Sequence, residues 1–401
     1  MALCRLNSSY RSRRPAQTLA IAEALMPTFG ISRVSDVTRM DRLGLPVCIS
    51  VRPRSATLRV HAGKGVEPDE ARVGALMEAI EYATAEPANS VWHAQTISAA
   101  DIVAQLGDGL RMIDLVPMQG ARIAPHDLLE TLECEELVRQ RRVQVPAELV
   151  FVPYEASGMP RLFGATTNGL ASGNSLVEAT LHGLLEVLER DALSMSRPGD
   201  PSRPLDNRRL PEPFRTLASA WSGRGVELAV RAVPNVWALP CFEAFLHEPA
   251  STCVNLAGGS GLHLERDIAL ARAICEAAQS RLSHIHGGRD DVTNFYEKYA
   301  PRRDAVAAEA ELIGRLFDRS RPARLEALPH ESPAGRPLTQ LLNALLQRMA
   351  KAGFGSVYRY RFRADLNGLH VVKIIVPRCE DADSAPSRIG PRLWAHVLRA
   401  A

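Results

Sequence analysis

Apolar and polar positions recur with helical spacing through residues 175–191. Leu181, Leu184, Leu185 and Leu188 fill one stripe, and Glu178, His182, Glu186 and Glu189 fill another. The pattern predicts a helix starting near Ser175, entered from the Gly/Asn-rich stretch 166–174. Two further segments repeat it. In residues 72–86, Leu76, Met77, Ile80 and Ala83 form an apolar face beside Glu78 and Glu81. In residues 267–282, Ile268, Ala271, Ile274, Cys275 and Ala278 are apolar, while Arg272, Glu276 and Gln279 line one polar edge ahead of Arg281.

Around these helices the pattern predicts a helix over 17–28 and strands over 46–52 and 56–61, then a loop at 62–65. Strands are expected over 149–154 and 162–166. The run RPGDPSRP from Arg197 should end the long helix. Residues 226–247 read as β-rich, broken by Pro234 and Pro240. Amphipathic helices follow over 305–317 and 338–352, and late strands over 357–362 and 369–376. Strands and helices mix without regular βαβ alternation. The expected class is therefore α+β, with mixed or antiparallel sheets. The three acidic helices are a weak internal echo, not a solenoid repeat. They lie far apart in sequence yet must meet to act together, so one intertwined domain over residues 1–401 is expected.

Composition narrows the function classes. The chain has 401 residues, 46% hydrophobic and 23% charged, enough for a large core. A formal net charge of +3 does not indicate a nucleic-acid partner. No apolar run approaches membrane-spanning length, and the basic start MALCRLNSSYRSRRP lacks the apolar core of a signal peptide. A cytoplasmic protein is expected. The seven cysteines (Cys4, Cys48, Cys134, Cys241, Cys253, Cys275 and Cys379) form no C-x-x-C, which argues for reduced thiols and against zinc or a disulfide framework. Cys275 reads as core. Cys379 reads as structural or as a persulfide carrier.

The acidic stripes carry the candidate chemistry. Glutamates on an amphipathic helix are commonly its solvated face. Here they lack interleaved lysines, and like charges at this spacing repel. A cation would neutralise them. Magnesium takes a few carboxylates together with phosphate oxygens and water. A loop of small residues running into a helix N-terminus suits phosphate. Lysine is rare, at Lys64, Lys298, Lys351 and Lys373, so Lys64 between two glycines is either functional or simply solvated. His182 reads as a general base or as a packed, hydrogen-bonded residue. Residues 288–291, Gly-Arg-Asp-Asp, either shape the edge of the site or cap the third helix.

Taken together, these segments resemble the three nucleotide-binding motifs of the YcaO superfamily. The family's first motif, Ser-x-x-x-Glu-x-x-Glu-Arg, reads Gly74, Glu78, Glu81 and Tyr82 here. The second, Asn-Gly-x-Ala-x-Gly followed by Glu-x-x-Glu-Arg-Asp, is matched by Asn168, Gly169, Ala171, Gly173, Glu178, Glu186, Glu189, Arg190 and Asp191. The third, Glu-x-x-Gln, is Glu276 and Gln279. The resemblance covers roughly residues 30–380. It departs from the family at Gly74, which lacks the serine hydroxyl, and at Tyr82, which replaces an arginine.

The resemblance implies a YcaO-like fold with helices around a central nucleotide cleft. It implies ATP and more than one Mg2+ ion as cofactors. Arg11, Thr18, Lys64, Gly74, Asn168, Glu178, Arg190, Arg272 and Gln279 would bind ATP, and Glu78, Glu81, Glu186, Glu189 and Glu276 would bind magnesium. No residue is singled out as catalytic. The implied reaction is ATP-dependent O-phosphorylation of a peptide backbone amide. Residues 30–53 and 371–380 look like the subgroup paired with TfuA proteins, and the chain ends PRLWAHVLRAA without a P-x-P-x-P tail. Thioamide formation in a ribosomally made peptide is therefore favoured over azoline formation. A non-catalytic peptide-binding homologue is the third reading. Implied partners are a precursor peptide or protein, a TfuA-like or leader-binding protein, and a second copy of the chain.

Overall fold

The structure, a computed structural model, describes residues 4–89, 92–107, 109–154, 161–251, 254–289, 291, 305–333, 335–362 and 366–400. Cys253, Asp290 and Lys298 lie outside them. The chain opens with β1 (Cys4–Arg5), β2 (Tyr10–Arg11), α1 (Pro15–Leu25), β3 (Arg33–Asp36), β4 (Val47–Val51), β5 (Val60–Lys64) and α2 (Pro68–Ala85). It continues through β6 (Gln95–Ser98), α3 (Ala99–Leu106), β7 (Leu128–Glu136), β8 (Arg141–Pro146), β9 (Leu170–Gly173) and α4 (Leu176–Ser196). Then come β10 (Arg203–Pro204), α5 (Phe214–Ser222), β11 (Glu227–Ala232), β12 (Cys241–His247), β13 (Leu256–Leu262) and α6 (Arg266–His286). The last elements are α7 (Ala305–Leu316), α8 (Leu338–Lys351), β14 (Tyr358–Arg361), β15 (His370–Ile375) and α9 (Pro391–Ala400).

Among the described residues these strands pair only antiparallel, within the expected α+β class. A three-stranded sheet has the order β3-β4-β5, and a four-stranded one the order β10-β11-β12-β13. The six-stranded sheet runs β6-β7-β14-β15-β9, with β8 also on β7. Each of these three sheets sends one strand straight into one acidic helix: β5 into α2, β9 into α4, and β13 into α6. The same distance along the chain separates Lys64 from Glu78, Ser172 from Glu186, and Leu262 from Glu276. The internal echo is thus a β–α unit used three times, once per sheet.

Small residues let each helix lie directly on its strand. A Cβ on Gly63 would meet the Ala71 carbonyl oxygen at 2.0 Å and the Ala75 nitrogen at 2.1 Å; one on Gly259 would meet the Ala277 nitrogen at 2.2 Å. Ala71, Ala75, Ala79 and Ala83 of α2, and Ala269, Ala273 and Ala277 of α6, are fully buried. α4 starts where its sequence indicates: the Ser175 hydroxyl caps it by accepting from the Glu178 N–H at 3.2 Å. The long apolar face of α4 packs with α8 and β15 in one core. The core around α2 includes α1, α3, β7 and β8, and that around α6 includes α5, β11 and β12.

Several expected elements differ. Residues 62–65 are not a loop, because β5 continues through Lys64 and pairs Val47 with Lys64. The stretch expected as a strand from residue 56 joins β5 only at Val60. Residues 149–154 and 162–166 are irregular. Val150 and Phe151 donate back to the Ala147 carbonyl and Val152 to that of Ala85, so their backbones are satisfied without a ladder. α2 begins at Pro68, ahead of the periodic segment 72–86, and Gly74 lies in its second turn.

A Cβ on Gly74 would sit 3.2 Å from the Gly63 Cα. The two glycines therefore face each other across the α2–β5 contact. Gly63→Ala is expected to destabilise by more than about 3 kcal/mol, since backbone atoms must move. Gly74→Ala should stay within about 1 kcal/mol of the parent, its crowding offset by the better helix former. Thermal melts of the two variants check this, and equal losses would contradict it.

Candidate active site

The three acidic helices and the N-terminal segment enclose a cleft of about 570 Å³. Arg11, Thr18, Lys64, Gly74, Glu78, Glu81, Glu178, Glu186, Glu189, Arg190, Arg272, Glu276 and Gln279 all line it. Asn168 does not. It lies in a small neighbouring pocket with Thr166, Lys373, Asp381 and Arg388. There Lys373 donates to the Thr166 carbonyl, and the Asn168 Oδ1 has no partner.

The second member of each i,i+3 pair is a fastener. Glu81 of α2 accepts from the Ser172 N–H at 2.7 Å and the Ser172 hydroxyl at 2.5 Å. Glu189 of α4 accepts from the Ser260 hydroxyl at 2.6 Å and the Leu262 N–H at 2.9 Å. Gln279 of α6 donates to the Ala62 carbonyl at 2.8 Å. Each helix thereby grips the strand of the next unit, and the third grips the first.

The first members are less tied. Glu78 accepts one N–H, from Ala62 at 3.3 Å, and Glu186 one, from Gly169 at 3.1 Å. Glu276 pairs with Lys64 at 2.7 Å. Glu178 is held differently again, by Arg11 at 3.2 Å, by Ser12 through its N–H at 2.8 Å and its hydroxyl at 2.7 Å, and by Asn174 at 3.0 Å. Thr18 donates to the Asn174 Oδ1 at 2.8 Å. Asn174, Ser172 and Arg289 line the cleft as well. Only Arg289 had a trace in the sequence, through the Gly-Arg-Asp-Asp run.

Electrostatics separate these carboxylates. Burial raises the pKa of Glu78, Glu186 and Glu81, the last to about 8, helped for Glu81 by its neighbours Glu186 and Glu78. Burial acts on Glu178 and Glu276 too, but Arg11 with Ser12, and Lys64 with Arg190, outweigh it and hold both low. Desolvation keeps His182 neutral, and its Nδ1 has no partner. The neutral ring is half-buried and lines the cleft. The Cys275 thiol is pushed up to about 12 and that of Cys379 well above its ordinary value by burial, so neither is a ready thiolate.

Among the described residues no three His, Cys, Asp or Glu side chains converge as an all-protein metal cage. Magnesium does not require one; one or two carboxylates with phosphate oxygens and water suffice. Three under-neutralised carboxylates facing one cavity suit that arrangement. The sequence model of the YcaO family, described as a cyclodehydratase binding ATP and Mg2+, matches residues 62–380. The chain belongs to the YcaO family. It is 32% identical to an uncharacterized protein of Methanothermobacter thermautotrophicus over 96% of this chain and 98% of that one. It is 30% identical to an uncharacterized protein in the tfuA 3' region of Rhizobium leguminosarum bv. trifolii, over 93% of this chain and 90% of that one. The fold matches YcaO from Methanopyrus kandleri bound with AMPPCP and Mg2+, at a TM-score of 0.75 and 23% identity, covering 97% of this chain and 98% of the other. It also matches a heterocyclase in complex with substrate and cofactor, at a TM-score of 0.76 and 20% identity, over 94% of this chain and 54% of that one. No helix among the described residues of this YcaO protein is long and apolar enough to cross a membrane.

Because Glu81 binds its proton more tightly in the folded chain, its share of stability is complete below the unfolded value of 4.5. That share is lost as pH rises through about 8. Without metal, Glu81→Gln should melt higher than the parent at about pH 9, and the two should converge near about pH 5. Melts across that range check the sign. A variant that is less stable at every pH would show that the Ser172 bonds need a full charge.

Proposed function

We propose that this YcaO protein uses ATP and Mg2+ to activate a backbone amide of a peptide or protein, most directly for thioamide formation. The observation carrying this is the set of deep carboxylates, Glu78, Glu81 and Glu186, that burial leaves short of positive charge in one cleft. In this reading Glu78, Glu186 and Glu276 face the metal directly. Glu81 and Glu189 use their remaining lone pairs while keeping the helices in place. Arg11, Thr18, Lys64, Gly74, Glu178, Arg190, Arg272 and Gln279 form the nucleotide walls, and Asn168 supports the second-motif loop from behind. The whole chain acts as one domain, in the cytoplasm.

Bound Mg-ATP supplies an electrophilic γ-phosphoryl group with its charge partly neutralised. The protein holds the amide oxygen in line with that group and keeps water away. A nucleophile adds to the amide carbon, the oxygen takes the γ-phosphoryl group as ADP leaves, and phosphate then departs with the original amide oxygen as a proton is released. Sulfide as nucleophile gives a thioamide. A neighbouring Cys, Ser or Thr side chain gives an azoline. The relative in the tfuA 3' region and the TfuA-like segments 30–53 and 371–380 support the first outcome, and a TfuA-like or leader-binding partner for substrate delivery. The family's cyclodehydratase description supports the second.

Co-expression with a candidate precursor should add about 16 Da per thioamide, whereas cyclodehydration removes about 18 Da, from the atoms exchanged in this scheme. An unchanged mass with partner and ATP present contradicts both. Glu78→Gln and Glu186→Gln should each lower peptide-dependent ATP turnover by about 100-fold or more with the melting point retained, as loss of a charge-stabilising group does. Near-normal rates would make these glutamates a solvated lining.

A further inference from the structure

The N-terminal arm, residues 4–13, contributes Leu6, Ser8, Ser9, Arg11 and Arg13 to the cleft wall. It is fastened at the start of each acidic helix. Arg5 and Tyr10 bind Glu265, which precedes α6. The Asn7 N–H and the Ser8 hydroxyl reach Glu70 in the first turn of α2, each at 3.1 Å. Arg11 and Ser12 hold Glu178 in the first turn of α4. Carboxylates at helix N-termini are favourably placed, so the three anchors serve both the helices and the arm.

This fastening leaves one charge over. The cleft is lined by six Arg and Lys side chains: Arg11, Arg13, Lys64, Arg190, Arg272 and Arg289. Five have a carboxylate within reach: Arg11–Glu178 at 3.2 Å, Lys64–Glu276 at 2.7 Å, Arg190–Asp383 at 3.7 Å, Arg272–Glu189 at 3.9 Å and Arg289–Asp291 at 2.7 Å. Arg13 has none among the described residues, and its Nη1 is buried without a hydrogen-bond partner. An enclosed guanidinium N–H left unpaired is costly, and the favoured remedy is an anion that accepts from it. Arg13 lines the cleft together with Gly173 and Asn174, the residues just ahead of α4, whose N-terminus also favours negative charge.

We propose that Arg13 is a polyphosphate-contacting residue, the arm's open guanidinium donating to phosphate oxygens of the nucleotide. Arg11, the basic residue singled out by sequence, is occupied with Glu178 and positions the arm. The proposal rests on the ATP-binding reading above. Calorimetry on the full chain with Mg2+ and ATP, ADP or AMP tests it, using Arg13→Gln, Arg13→Lys and, as a control, Arg14→Gln on the exposed neighbour. The parent must bind ATP; if it does not, the nucleotide reading itself fails. With the parent binding, Arg13→Gln should raise the ATP dissociation constant about tenfold or more while changing that for AMP less than about twofold. Arg13→Lys should fall between, and Arg14→Gln should match the parent. Unchanged ATP affinity in Arg13→Gln overturns the proposal. So does an equal loss for AMP, or an effect confined to the KM of the peptide, which would give Arg13 to the substrate instead.

Discussion

Three side chains close the site into a ring. Glu81 binds the backbone of β9, Glu189 that of β13, and Gln279 that of β5, so each β–α unit is fastened to the next. Glu81 and Glu189 each accept two hydrogen bonds, and a net hydrogen bond of this kind is worth about 0.5–1.5 kcal/mol. Their geometric effect matters more than their energy. The first glutamate of each pair sits one turn before the fastener on the same helix. Fixing Glu81, Glu189 and Gln279 therefore fixes where Glu78, Glu186 and Glu276 point. Three separate sheets thereby build one cleft.

Such an arrangement concentrates negative charge, and the surroundings divide it unequally. Glu178 and Glu276 have Arg11 and Lys64 beside them and stay ionised. Glu78, Glu81 and Glu186 have no ion pair of their own among the described residues, and burial outweighs the more distant cations and drives them toward the protonated form. A cavity that favours protons on three carboxylates also favours another cation there. The same burial neutralises His182, which removes it from the charge balance. The site is thus tuned by which carboxylates lack a partner, not by how many there are.

Helical spacing made the carboxylates legible, because a pair three residues apart is visible whatever surrounds it. The strand partners of Glu81, Glu189 and Gln279 were not legible, since Ser172, Ser260 and Ala62 are ordinary residues until the sheets are in place. The arm's anchors are equally hidden. Glu70, Glu178 and Glu265 are far from it along the chain, and Arg13 differs from Arg11 only in lacking a carboxylate. β7 was not among the expected elements: Glu130, Glu133, Glu135 and Glu136 break its apolar alternation, although Glu136 is fully buried and accepts the N–H groups of Val138 and Arg139. Residues 150–152 erred the other way. Val150 and Phe151 are apolar enough for a strand and are fully buried, but they fill the core as irregular chain.

The two departures from the first family motif follow from local packing. Gly74 faces Gly63 where α2 lies on β5, and a larger residue there presses on backbone. Tyr82 packs its ring against His61, with centroids 4.8 Å apart, and lines the cleft with Thr167 of the second-motif loop. A tyrosine at that point brings no positive charge to Glu78. Arg289, from the turn after α6, acts on both Glu78 and Tyr82 and is itself held by Asp291. Positive charge thus reaches Glu78 from Arg289 of the third unit and from Lys64 of the first. The charge balance at Glu78 depends on what reaches the cleft, and a ring of three interlocked units lets any of them supply it.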